Sequence, residues 1–238
     1  MDDSGKSLFA KMLYDKLVDE NIITQLVSEP YSIKQSKAPE IFQKEFESIS
    51  NIRELIVNLI KNTRGIRNET KDILFRLDRT ILYKYMSMIE KSHSVSNIEE
   101  ESILFISDRS FISNIVYQST FTKDTVYELM KINIEMIQQF NISTNIVFYM
   151  RRDNDNRLEQ ETNTMSENIK TNYYQLNKKY ERLLGDEYIK VFSSGKCEGD
   201  DIQPFNNSKI YTINNNNRDK EEILNEIYRI VKKEILLI

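Results

Sequence analysis

A run of four large apolar residues, Ile103-Leu104-Phe105-Ile106, is followed at once by Ser107-Asp108-Arg109-Ser110. It is too short for a helix and has no polar alternation, so it predicts a strand buried on both faces, as in a parallel sheet covered by helices. A second run of this kind occupies residues 145–150 and ends in Arg151-Arg152-Asp153. Short β-branched or mixed runs of strand length lie at 22–27, stopped by Ser28-Glu29-Pro30, at 188–192 and at 209–213. Helical spacing fills the gaps: residues 8–17, 39–48, 52–61, 70–90, 123–140, 158–184 and 220–238. Strands alternating with helices predict a single doubly wound α/β domain, a parallel sheet flanked by helices. Residues 193–208, with Gly195, Gly199 and Pro204, predict a loop or hairpin excursion.

Composition narrows the chemistry. The 238 residues carry a net charge of −4, which argues against a nucleic-acid binder, whose footprint would be basic. No apolar run approaches the ~18 residues of a membrane span and no signal peptide is visible, so the expectation is a cytoplasmic protein without membrane contact. Cys197 is the only cysteine and His93 the only histidine, which excludes an internal disulfide and any mechanism needing two histidines. His93 lies in a polar stretch and is expected in a solvated loop.

In such a fold ligands sit outside the carboxyl ends of the strands, so chemistry is expected just after each apolar run. Glu29, Asp108 with Arg109, and Arg151 with Arg152 stand there. Upstream, Ser4-Gly5-Lys6-Ser7 opens the first helix and matches the second half of a P-loop. In that motif backbone N–H groups cradle phosphates, the lysine reaches them and the hydroxyl ligates Mg²⁺. Asp108 at a strand end could hold the same ion or simply shape a turn. Phe75, Arg79, Leu82 and Met86 share one helical face, which suits base stacking or plain core. Ser113, Asn114 and Tyr117 fall within one helical turn, and Asn156-Arg157-Leu158-Glu159 suits a lid or a solvated charged face.

Taken in order, these motifs resemble thymidylate kinases, the P-loop enzymes that transfer the ATP γ-phosphoryl group to dTMP. The resemblance covers residues 1 to about 180 and rests on five segments: residues 2–7, Ser28-Glu29-Pro30, residues 75–79, residues 108–118 and residues 156–161. It implies a P-loop nucleotide kinase fold, with Asp3, Ser4, Gly5, Lys6, Ser7 and Leu8 around ATP and with Ser7 and Asp108 at Mg²⁺. It further implies Asp2, Glu29, Phe75, Arg79, Arg109, Ser113, Asn114 and Tyr117 around dTMP. Phe75 would stack on the base, Arg79 would bond its edge, and Tyr117 would lie against the 2′ position. Lys6, Asp108 and Arg109 would act in transfer with Arg151, Arg152 and Arg157, in a lid at about residues 151–162. A homodimer is the partner state the family implies.

The chain departs from the family pattern in several places. Ser28 stands where the family has arginine, and Ser110 where it has an aromatic or histidine. Asp3 occupies the position of the P-loop arginine found in some relatives, which leaves that work to the lid arginines. The first P-loop glycine and the strand before it would precede Met1, so the natural product is expected to begin about ten residues earlier; an in-frame stop codon just upstream would refute this. Asp108-Arg109-Ser110 also resembles the deoxynucleoside kinases, whose acceptor would be thymidine. A nucleotide-binding relative without catalysis is the third alternative.

Overall fold

The computed structural model describes residues 5–29, 32, 36–63, 65–95, 103–109, 111–121, 126–142, 146–151, 196–197, 200–201, 209–216 and 218–236. These form a mixed α/β structure with small parallel sheets, in two compact bodies. One comprises the described residues of 6–111 and 121–142, and the other those of 1–5, 112–120 and 143–238.

The first body holds α1 (Lys6–Asp19), β1 (Thr24–Val27), α2 (Gln43–Asn62), α3 (Asn68–Val95), β2 (Leu104–Ser107) and α5 (Val126–Phe140). Strands β1 and β2 pair in parallel, from Thr24 opposite Leu104 to Val27 opposite Ser107. All four β1 residues are buried, whereas in β2 only Ile106 is fully so. Two-sided burial, expected for 103–106, therefore holds only in part for β2, and residues 146–150, also expected to be buried, are only half-buried; β1 is the strand that shows it in full. The free side of β1 is closed at Leu26, whose N–H and C=O bond Lys37 at 3.0 and 2.8 Å. A strand edge left open would be a template for foreign chains.

Helix α1 ends on Asn21, at φ 62°, with Ile22 N–H donating to Leu17 C=O at 3.0 Å. Helix α5 repeats the device with Asn141, at φ 52°, and Ile142 donating to Ile137 at 3.0 Å. Asparagine tolerates the left-handed conformation, and the bond back over one turn satisfies a carbonyl the helix would otherwise leave open.

Helix α2 is continuous where the sequence predicts two stretches, 39–48 and 52–61. The apparent break at Ser48-Ile49-Ser50-Asn51 does not form because both serine hydroxyls bond within the helix, Ser48 to Glu45 C=O and Ser50 to Phe46 C=O, each at 2.7 Å. Phe46, Ser50, Arg53 and Val57 then form one buried stripe. It packs antiparallel on α3, with the Phe46 and Tyr85 rings 6.2 Å apart and Arg53 meeting Asp78. Helix α3 runs to Val95, so His93 lies in its last turns and not in the predicted loop.

The other body contains α4, most of which (Phe111–Phe121) belongs to it, and β3 (Ile146–Arg151), paired in parallel with β6 (Lys209–Asn214). It also holds the short antiparallel pair β4 (Lys196–Cys197) and β5 (Asp200–Asp201), which fits the expected hairpin excursion, and α6 (Lys220–Val231). The expected elements at 158–184 and 188–192 lie outside the described residues. The Asp219 side chain caps α6 by accepting from Glu221 N–H at 2.8 Å. Asp219→Ala should cost about 1 kcal/mol, read as a lower urea midpoint at unchanged slope.

Candidate functional site

Three chain segments meet at the carboxyl ends of β1 and β2: the start of α1, the residues after β1 and the residues after β2. Gly5, at φ +79°, precedes α1 in a left-handed conformation that a side chain would strain. Helix α1 then opens with Lys6 and Ser7, at a terminus whose helix dipole favours an anion. The Ser7 hydroxyl donates to Asp108 Oδ2 at 2.7 Å, and Glu29 N–H lies 3.4 Å from Asp108 Oδ1. Asp108 thus joins the helix start to the end of β1.

Beyond Glu29 the arrangement continues into the body's interior. Its carboxylate accepts from Arg79 Nε at 2.7 Å, and Arg79 Nη1 donates to Asn133 Oδ1 at 3.0 Å. Asn133 is held in turn by its own donation to Leu129 C=O, at 2.7 Å. Glu29, Arg79 and Asn133 are all buried. Ser7, Asp108, Glu29, Arg79 and Asn133 therefore form one polar relay across α1, both strands, α3 and α5. Arg79 keeps its charge there: burial, the largest single influence, lowers its pKa, but Glu29, Tyr83 and Asp78 together outweigh it and the pKa is raised.

A second ion pair lies alongside, joining Asp78, the neighbour of Arg79 on α3, to Arg53 on α2. Arg53 donates Nε and Nη2 to the two Asp78 oxygens at 2.7 and 2.9 Å, and Nη2 also bonds Ser28 C=O at 3.0 Å. Ser28 is buried and turns inward, where its hydroxyl accepts from Ser32 N–H at 2.7 Å and lies 3.0 Å from Ser36 Oγ. Gln25, two places before Val27 on the same face of β1 as Glu29, accepts from the Tyr85 hydroxyl at 2.9 Å. Burial pushes that phenol up to about 12, so it stays a donor at any physiological pH.

Among the expected site residues, the structure brings together Ser7, Asp108, Glu29 and Arg79, with Lys6 and Leu8 at the same helix start and Arg109 following Asp108. Phe75 lies one turn before Arg79 on α3 and is half-buried. Ser113, Asn114 and Tyr117 are on α4, where Asn114 is buried, and Arg151 ends β3. These four belong to the other body. Asp2, Asp3, Ser4, Arg152 and Arg157 lie outside the described residues.

The sequence reading missed Arg53, Asp78 and Asn133. Their shared signal is a polar group on a helix face that otherwise buries apolar side chains, where a partner is obligatory. Among the described residues no group of three or more His, Cys, Asp or Glu could hold a metal ion. The Ser7 and Asp108 oxygens are nevertheless a hard-donor pair of the kind Mg²⁺ uses, since that ion takes few protein ligands and fills its shell from phosphate and water.

No model of a known protein family matches the chain, and no curated protein sequence matches it. Among the described residues no helix is long and apolar enough to cross a membrane.

Proposed function

We propose that the protein is a cytoplasmic P-loop nucleotide kinase that transfers the γ-phosphoryl group of ATP to dTMP, giving dTDP and ADP. The observation that carries this reading is the Ser7–Asp108–Glu29 junction at the carboxyl ends of two parallel strands, beside the N-terminus of α1. A helix N-terminus bearing Lys and Ser, with a strand-ending carboxylate in contact, is an arrangement suited to a nucleotide triphosphate. The two parallel strand pairs are consistent with a doubly wound P-loop fold.

In this reading an acceptor phosphate oxygen bonds the γ-phosphorus while the bond from that phosphorus to the bridging oxygen breaks and ADP leaves. Lys6 and the first N–H groups of α1 hold the donor phosphates. Ser7 and Asp108 would hold Mg²⁺, which when bound neutralises charge on the phosphates. Arg109 binds the acceptor phosphate, Phe75 and Arg79 take its base, and Arg151, Arg152 and Arg157 supply lid charge. Ser113, Asn114 and Tyr117 complete the acceptor side, and the working form is a homodimer. No covalent intermediate is needed, since positioning and charge neutralisation suffice.

A coupled ATP/ADP assay tests this directly. Turnover with dTMP above that with thymidine is expected. The reverse preference would make it a deoxynucleoside kinase, in line with Ser110 after Asp108-Arg109. Binding of dTMP with no ADP release would make it a non-catalytic relative.

A further inference from the structure

Arg53 reaches the site without entering it. Its side chain is fully buried on α2, and its bonds land one residue short of the polar relay at two points. Nη2 donates to the carbonyl of Ser28, which precedes Glu29. Nε and Nη2 donate to the carboxylate of Asp78, which precedes Arg79. Glu29 and Arg79 are themselves joined at 2.7 Å. One guanidinium therefore clasps the chain neighbours of both members of that pair.

The clasp constrains each of them. The ladder between β1 and β2 ends with Val27 opposite Ser107, so the buried Ser28 carbonyl lies past the last strand pairing and needs another partner; Arg53 supplies it at 3.0 Å. Along α3 successive side chains project about 100° apart, so holding Asp78 on α2 holds Arg79 turned toward the end of β1. Stability alone does not call for charge here, because an apolar pair of similar volume often holds two helices as well. What an apolar pair lacks is the fork of donors that serves both carboxylate oxygens and a carbonyl at once.

We propose that Arg53 is a positioning residue of the site. It fixes from behind the point where β1 ends and the rotation of α3, so that Glu29 offers its amide to Asp108 and its carboxylate to Arg79. The proposal rests on the nucleotide-acceptor reading above for what the site binds, and it adds α2 to the elements that set it. Asp108 is also held by Ser7 on α1, at 2.7 Å against 3.4 Å from the Glu29 amide. Loss of the clasp therefore falls on the acceptor side and spares the donor side.

The test uses the full chain carrying Arg53→Met with Asp78→Leu, which removes both buried charges together. Phe46→Leu is the control: it loosens the same helix pair two turns away, at the Tyr85 contact, and leaves the clasp in place. At saturating ATP, kcat/KM for dTMP should fall about tenfold or more in the double variant, carried by KM, with the KM for ATP changed less than about twofold. Phe46→Leu should stay near the wild type in all three constants. Wild-type dTMP kinetics in the folded double variant overturn the proposal, and so does an equal loss in Phe46→Leu. If the double variant does not fold, Asp78→Asn, which weakens the clasp at constant shape, should raise the KM for dTMP about threefold, and an unchanged KM overturns it. If the wild type transfers no phosphate to dTMP, the kinase reading fails and the positioning is read from amide hydrogen exchange in the folded variant. The Glu29 and Ser32 amides should then exchange about tenfold faster than in the wild type while Leu13 and Leu17 of α1 keep their protection. Unchanged exchange at Glu29 and Ser32 overturns the proposal by itself.

Discussion

Arg53→Ala should lower stability by about 3–5 kcal/mol, the usual cost of removing one partner from a buried ion pair. Arg53 is fully buried, Asp78 is 2% exposed, and the alanine would leave that carboxylate charged with its guanidinium gone. It would also release Ser28 C=O, the residue before Glu29, and so loosen the end of β1. Lysine should not rescue, because a point ammonium cannot serve both Asp78 oxygens and the carbonyl at once. Removing both charges with Arg53→Met and Asp78→Leu should recover most of the loss, since a well-packed apolar pair is often as stable as the ionic one. Urea unfolding of the three variants measures this. A loss below about 1 kcal/mol for Arg53→Ala would mean that the pair is not the tie between α2 and α3 that its geometry makes it.

Lys6→Ala should depress turnover by about 10²- to 10³-fold while leaving dTMP affinity nearly intact, the cost of removing one positioned charge from a phosphoryl-transfer site. The separation follows from where the side chain starts. Lys6 opens α1 beside Ser7, whereas Phe75 and Arg79 are on α3. Steady-state kinetics with calorimetric dTMP titration distinguishes the two, and equal loss of both would contradict the roles proposed.

The strands were legible because large apolar side chains in short runs leave little choice. Ile103-Leu104-Phe105-Ile106 became β2 and residues 145–150 became β3, each within one residue of the expected bounds. The chemistry after them was legible for the same topological reason, and Ser7, Asp108 and Glu29 do meet there. What local sequence hid were features decided at a distance. Ser48 and Ser50 read as a helix break because serine competes for backbone bonds, yet their hydroxyls bond backward and the stripe around them holds α2 whole. Arg53 and Asp78, 25 residues apart, each look like surface charges, and only the packing of α2 on α3 makes them a pair. Arg79 was expected to bond the edge of a base, and local sequence gave no sign that Glu29 and Asn133 would take two of its five donors.

Glu29 serves two neighbours through different parts of itself: its amide faces Asp108 and its carboxylate holds Arg79. On the proposed reading those neighbours belong to opposite ligands, the triphosphate on one side and the base on the other. A shift of the Glu29 backbone that tightens one contact is then felt by the other, and thermodynamic reciprocity fixes the consequence. By whatever factor ATP alters the affinity for the acceptor, the acceptor must alter the affinity for ATP by the same factor, and the order in which the two arrive makes no difference to the ternary complex they reach.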